Sequence, residues 1–524
     1  MTVTRPWSAM DVEVPQQSGD VVCLPAARTF AALAAENAAR LDAADVEVAG
    51  TGLAELRAEM RTRVTSAAAS FAEALGLALP RPWPGTGPLI GTGHQPFLFH
   101  PGIWTKHLLI GRLGAHLPAL SMAVDCDTAE DVGADVPALA GGLRIVRETL
   151  LRAEPDVPYE ALAAPAAPEW RAFLDRVDAR LQTLPHHGVH EVFSGFSRRT
   201  AELAAPDLGG FLTLARRLHE GPRPYAELPV SRLTTMPEFR LFVIHILRDA
   251  ERFADAYNRH LDGYRERHNV RTAAQPFPNL SRDGPRIELP FWIIRSGRRR
   301  PLFAERGAGR VSVFAGGEAV AAVPARGEPS GLDEIEIRPK ALALTAFKRI
   351  CVVDLFVHGV GGARYDRVTD AVVREFFHLE PPAYAVVTST LHLPLSEFDP
   401  SEERETLQRR LLALRHNPER ALSAPGPEQR RWIEEKWALI RRLDDPALGR
   451  SERRAATRRI RAINEQLSRD LAAERASIEQ RLVALAEIGE ASAAATHRGY
   501  PFCFFPPAAV DALVDRIWGD EPRL

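Results

Sequence analysis

The sequence predicts an α/β fold: a parallel-sheet core bearing a pocket, interrupted by inserted helical and β segments, and joined to a long charged helical arm from about Ser401 to Ile488. Three observations predict it. Leu89–Gly93 and Leu117–Val124 are short apolar runs that each close on a polar loop, and a helical stretch follows the first; this is the strand, loop, helix rhythm of a parallel sheet. The rhythm returns at the apolar Ile350–Val357, where the glycine cluster Gly359–Gly362 leads into the helical Tyr365–Phe377. In the arm, Ile460, Ile463, Leu467, Leu471, Ile478, Leu482, Leu485 and Ile488 trace a stripe at three- and four-residue spacing between charged flanks.

Taken in order, Ala26 to Leu79 carries Ala, Leu, Glu and Arg in helical rhythm, broken at Gly50–Gly52, so two helices lead in and residues 1–85 form a lead-in packed on the core. Pro80–Pro88 ends them. The first strand and its helix, Ile103–Gly114, open a core spanning 86–398. Within it, residues 136–230 are rich in proline, alanine and charge and predict helices and loops inserted around the sheet, as part of an insertion covering about 136–330. Pro237–Asn269 reads as one long helix, because Phe239, Phe242, Val243, Ile246, Leu247, Phe253 and Tyr257 recur near three- and four-residue steps. Ile287–Arg295, Pro301–Ala304 and Gly309–Phe314 read as an antiparallel meander. Ile335–Pro339 resumes the core, and Tyr384–Thr390 adds one more strand. The arm, 399–490, reads as an antiparallel hairpin in which Glu403–Arg415 and Gln429–Arg442 face one last helix, a protruding coiled coil or else a plain helical domain packed on the core. Phe502–Phe505 and Val510–Trp518, within 491–524, are apolar enough to return to the core.

A chain of 524 residues exceeds what one hydrophobic core serves, which predicts two or three structural units. Lys plus Arg number 66 against 68 Asp plus Glu, a balance that gives no long-range attraction to nucleic acid or an anionic membrane. Cys23, Cys126, Cys351 and Cys503 are far apart, with no CxxC pair, which fits a reducing compartment. The N-terminus lacks a basic start with an apolar run, and no later segment approaches 18 apolar residues, so the expectation is a cytoplasmic protein acting on small molecules.

Three polar loops placed after apolar runs carry the candidate chemistry. The first is Gly91-Thr92-Gly93-His94-Gln95-Pro96 with His100 and Lys106: a helix starting near Ile103 aims free amides at an anion, and His94 and Lys106 add cationic contacts, or the segment is a tight turn with its histidines bonded to backbone. It is not a Walker loop. The second is Asp125-Cys126-Asp127 with Glu130 and Asp131. Carboxylates on alternate residues can hold a hard cation, take a proton or bind an amine or sugar hydroxyls, or they form a capping cluster in which Asp127 or Thr128 starts a helix with acids in its first turn. Cys126 is either a nucleophile without a visible base or a buried small hydrophobe. The third is His358 and Gly359-Val360-Gly361-Gly362-Ala363-Arg364-Tyr365-Asp366, bordered by Arg338-Pro339-Lys340, a turn that can cradle phosphate or substrate. His186, His187 and His190 could share a metal only on a helix, whereas Pro185 and Gly188 point to a loop, and no metal is assigned.

In order and texture, residues 85–524 resemble the bacillithiol-synthesis cysteine-adding enzymes, the BshC type. Thr92–Lys106 resembles that family's early glycine, glutamine and proline loop, Asp125–Asp131 its acidic cluster, and Arg338-Pro339 through Gly359–Tyr365 its later glycine-rich loop with a tyrosine. The chain departs from the family in having His94-Gln95 for a glutamine pair, Asp125-Cys126-Asp127 for a Glu-Asp-His-Asp type cluster, and no glutamate in the Gly359–Arg364 loop. His-Gln-Pro followed by Lys is also similar to the WbqC-like proteins of surface-polysaccharide loci. The family resemblance implies a Rossmann-like core, a coiled-coil arm that makes a homodimer, and a ligase that attaches cysteine through its carboxyl group to an amino-sugar conjugate.

On that reading His94, Asp125 and Asp127 are catalytic, while Gly93, Gln95, Lys106, Arg338, Gly361, Gly362, Arg364 and Tyr365 hold substrate. ATP or another phosphoryl donor is a requirement of the chemistry. Two other readings stand beside it: a transferase using a nucleotide sugar through a metal at Asp125-Cys126-Asp127, and a non-catalytic scaffold with a relic core.

Overall fold

The computed structural model describes residues 12–80, 83–85, 87–140, 142–184, 187–270, 272, 277–395 and 401–519. It is a mixed α/β protein whose central sheet has six strands: β1 (Val21–Leu24), β2 (Ile90–His94), β3 (Ala119–Ala123), β4 (Ala226–Pro229), β5 (Leu355–His358) and β6 (Ala385–Ser389). Their order is β1-β6-β5-β2-β3-β4. All neighbours are parallel except β1, which runs antiparallel along β6 as an edge. From β2 the chain adds β3 and β4 on one side, then returns to lay β5 and β6 on the other. Beyond the carboxyl ends of β2 and β5, where the order reverses, the connections lead away in opposite directions and leave a crevice.

The middle strands are short and buried on both faces, as their unbroken apolar character requires. β4 is the exception. Its sequence, Ala-Glu-Leu-Pro, carries a charge into the core, where Arg216 donates to Glu227 at 2.5 Å and to Glu220 at 2.6 Å; Glu220 also accepts from Tyr225 Oη and Trp104 Nε1. The helix α1 (Pro101–Leu113) leaves β2, and α2 (Val360–Phe377) leaves β5. The lead-in helices, Phe30–Asp42 and Leu53–Ala74, pack on the same core.

Several expectations are corrected. Pro237–Asn269 is two helices, Pro237–Arg248 and Ala250–Arg267, because Asp249 between them leaves helical geometry (φ −136°, ψ 46°) while its carboxylate accepts from Arg252. Ile337–Pro339 does not belong to the parallel sheet; it pairs antiparallel with Arg286–Arg295, closing a five-strand meander with Arg298–Arg306, Arg310–Ala315 and Glu318–Pro324. Ile350–Val357 is strand only from Leu355, since Ala341–Phe347 and Lys348–Val352 are helical. Within 136–230, where helices and loops are expected, Asp131–Leu139 and Leu143–Arg152 form a hairpin and β4 completes the sheet.

Contacts divide the chain into two compact units. One comprises Met1–Val136, Val146–Leu393 and Arg498–Leu524, the other Pro137–Ile145 and Pro394–His497. The second unit holds four long helices, Ser401–His416, Pro427–Leu443, Arg450–Leu467 and Ala472–Ala495. The middle two run antiparallel, tied by Arg442 to Glu452 and Arg459 to Glu435; the outer two are also antiparallel, tied by Arg410 to Glu474 and Arg481 to Glu403. Leu414, Leu471 and Ile478 fill its centre. The expected single last helix is broken at Arg469–Leu471, where Ser468 turns its hydroxyl back onto the Asn464 carbonyl. Among the described residues no helix is long and apolar enough to cross a membrane.

Candidate functional site

The carboxyl ends of β2, β3 and β5 open onto a cavity of ≈ 700 Å³. β2 contributes Gly93 and His94, the loop beyond β3 contributes Cys126 and Asp127, and β5 contributes His358 with Gly359, Gly361 and Gly362. β2 and β3 can lie close here because position 93 has no side chain: a Cβ on Gly93 would sit 2.5 Å from the Met122 carbonyl oxygen of β3. Gly93→Ala is therefore expected to cost about 1–3 kcal/mol in urea unfolding, as overpacking does. An unchanged midpoint would show that the strands can part without loss.

Of the residues singled out from sequence, Gly93, His94, Gln95, Lys106, Asp127, Gly361 and Gly362 share this cavity. Four others do not line it. Asp125 turns away, accepting from the Ser231 backbone and hydroxyl, and burial with Glu160 nearby raises its carboxyl to about 7. Arg338 makes a bidentate pair with Glu160. Arg364 donates to the Val12 carbonyl, and the Tyr365 ring packs edge-on against Tyr264 and Phe277. Asp127 accepts from Gln95 and from Arg299 at 2.9 Å, so Asp125 and Asp127 address different partners; a cation shared between them would need both to let go.

His94 is corrected as a cationic contact. Burial, with Lys106 adding to it, lowers its pKa to about 3, so at neutral pH it is an uncharged imidazole. Cys126 lines the cavity, but burial and the Asp125 carboxylate push its thiol well above the ordinary range, which leaves an inert sulfhydryl. His187 and His190 lie on the helix His187–Thr200, not in a loop, and His190 pairs with Asp178 at 3.0 Å; Pro185 and His186 lie outside the described residues. Among the described residues no three His, Cys, Asp or Glu side chains are grouped to hold a metal.

Sequence reasoning missed Lys348, Arg299 and Arg498, and gave Lys340 only a border. With Lys106 they make five Lys or Arg side chains around the cavity among the described residues, against Asp127 as the one lining carboxylate among them. Arg299 is paired to Asp127, and Lys340 to Glu288; both cations also lie over the Trp292 ring, at 5.0 and 4.5 Å from its centroid. Arg498 donates to the Thr388 hydroxyl at 2.6 Å and the Ser389 carbonyl at 2.7 Å. Lys106 and Lys348 have no carboxylate at ion-pair distance among the described residues. Burial lowers Lys106 to about 7, with Lys348 adding to it, and lowers Lys348 to about 8 against the pull of Asp366. Asp366 is itself held well below the carboxylate range by Arg349 and His358, in spite of its burial. The local signal for Lys348 was a Lys-Arg pair inside the otherwise apolar stretch from Ala341 to Val353.

These features define a class: a mixed α/β protein with a cation-lined cavity at the carboxyl edge of its parallel strands. The sequence matches no protein-family model and no curated protein.

Proposed function

We propose that this chain is a cytoplasmic ligase of the BshC type, joining an amino acid such as cysteine through its carboxyl group to an amine-bearing sugar conjugate. Its core is read as Rossmann-like and its helical unit as the coiled coil of a homodimer. One observation carries the reading: a single cavity presents a carboxylate, Asp127, together with two lysines, Lys106 and Lys348, that have no carboxylate at ion-pair distance among the described residues. An amine and an anion are the two groups that amide synthesis must bring together.

In this reading Asp127 receives a hydrogen bond from the incoming amine and takes its proton as the C–N bond forms and the bond to the leaving oxygen breaks. Gln95 and Arg299 hold Asp127 in place. Lys106 balances the charge that collects on the departing oxygen, and neutral His94 offers a hydrogen bond without adding charge. Activation of the carboxyl group is supplied in such chemistry by ATP or another phosphoryl donor. The strand-order reversal supports the Rossmann-like description, since ligands of open α/β sheets bind there.

The test is to incubate purified protein with cell extract, ATP and isotopically labelled cysteine, and to search by mass spectrometry for a new conjugate. A labelled amide product is the expected result. Its absence with cysteine and with every other amino acid would defeat the ligase reading.

A further inference from the structure

We propose that one end of this cavity is a phosphoryl subsite, in which Lys106, Lys348 and the first-turn amides of Val360, Gly361 and Gly362 hold the phosphate of an organic phosphate. The assignment rests on the reading of the cavity as a substrate site and narrows its ligand class. Helix α2 runs 18 residues, and its N-cap, Gly359, offers no side chain to satisfy the amides that follow. The first amide with a partner inside the helix is that of Ala363, which donates to the Gly359 carbonyl. Three successive N–H groups and the positive end of the helix therefore face the crevice.

An independent observation points to a ligand. Lys348 is 5% exposed and Lys106 3% exposed, yet both line the cavity. The Lys348 ammonium meets the Phe356 ring, 4.3 Å from its centroid, and forms no hydrogen bond among the described residues. Lys106 makes only a long contact of 3.4 Å with the Gly93 carbonyl. It also sits beside α2, since a Cβ on Gly359 would lie 3.9 Å from its Nζ. Burying two neighbouring ammonium groups with no carboxylate at ion-pair distance among the described residues is unfavourable, and a dianion arriving between them and the helix end removes the penalty. Among the described residues nothing lies within 4 Å of where a Cβ of Gly361 would point, so a ligand can approach the backbone there.

The donor set suits a phosphoryl group. Two point-charge ammoniums and three amides can serve its three terminal oxygens, more donors than the two oxygens of a carboxylate take up. A cavity of ≈ 700 Å³ is far larger than the anion, so the phosphate belongs to a larger organic molecule.

The experiment is isothermal titration of the full chain at neutral pH with inorganic phosphate, and with acetate as the competing carboxylate. Phosphate should bind and acetate should not displace it, while Lys348→Met and Lys106→Met should each weaken phosphate binding by roughly tenfold or more. Lys348→Met should melt no lower than the parent chain in the absence of phosphate, because an unpaired buried charge has gone. The subsite is overturned if acetate binds as well as phosphate, or if both methionine variants bind phosphate like the parent; the comparison on the parent chain decides the matter should a variant unfold. Displacement of phosphate by adenosine diphosphate marks a nucleotide, displacement by glucose 6-phosphate marks a sugar phosphate, and displacement by neither overturns the organic ligand. A cysteine conjugate formed without phosphate binding would sink the subsite and spare the ligase; phosphate binding without any conjugate would do the reverse.

Discussion

Asp354→Ala is expected to lower folding stability by about 3–5 kcal/mol, the usual result of removing one partner from a buried charge network. Asp354 stands just before β5 and is 1% exposed. Its carboxylate accepts from Arg57 and Arg61 on the lead-in helix Leu53–Ala74 and from the Leu89 amide at 2.6 Å, just before β2. Asn37 of the preceding helix donates to its carbonyl at 2.8 Å. One residue thus ties both lead-in helices to the two strands that flank the reversal, its carboxylate holding Leu53–Ala74 and its carbonyl holding Asn37. Alanine would leave Arg57, itself 8% exposed, without its buried counter-charge. Urea denaturation should show a lowered midpoint with an unchanged slope. A loss below about 1 kcal/mol would mean that the network relaxes onto water, as exposed pairs do.

Asp127→Asn is expected to reduce conjugate formation by about 10²–10⁴, the span that general-base catalysis covers, while the fold persists. Asparagine keeps the shape of the side chain and can still bond Gln95, but it cannot take a proton. Its ion pair with Arg299 is partly exposed, at 38% and 15% for the two side chains, so its loss should cost no more than about 1 kcal/mol. Product formation followed by mass spectrometry, beside a thermal melt by circular dichroism, separates the two effects. An undiminished rate would remove Asp127 from the chemistry. Collapse of the melt would assign it to the architecture, where Asp125, bonded to Ser231 and buried, already belongs.

The parts of the molecule readable from composition and spacing were those with local causes. β2 and β3 announced themselves because strands covered on both faces need unbroken apolar runs, and the glycines at 91, 93 and 362 marked places where a side chain would meet a neighbour. β4 gave no such signal. A four-residue strand holding Glu227 makes sense only once Arg216, eleven positions earlier, is brought against it. The hairpin at Asp131–Arg152 hid for a related reason: its second strand is largely open to solvent and carries charge on both sides of the alternation.

The candidate site divided along the same line. His94, Asp127 and Gly361 could be proposed as neighbours because each follows an apolar run, and strand ends in a parallel sheet share a rim. Arg498 could not, since it lies 110 positions from the Thr388 hydroxyl it meets. Arg338, Arg364 and Tyr365 stood in the right loops yet point elsewhere, toward Glu160, Val12 and Phe277.

Periodicity and loop chemistry act over a few residues, so hydrophobic spacing, helix starts and glycine turns could be read directly from the chain. Which charges remain without a partner is a property of the assembled core. An ammonium such as Lys348 becomes a candidate ligand contact only after packing has withdrawn it from water and assigned every neighbouring carboxylate to some other cation.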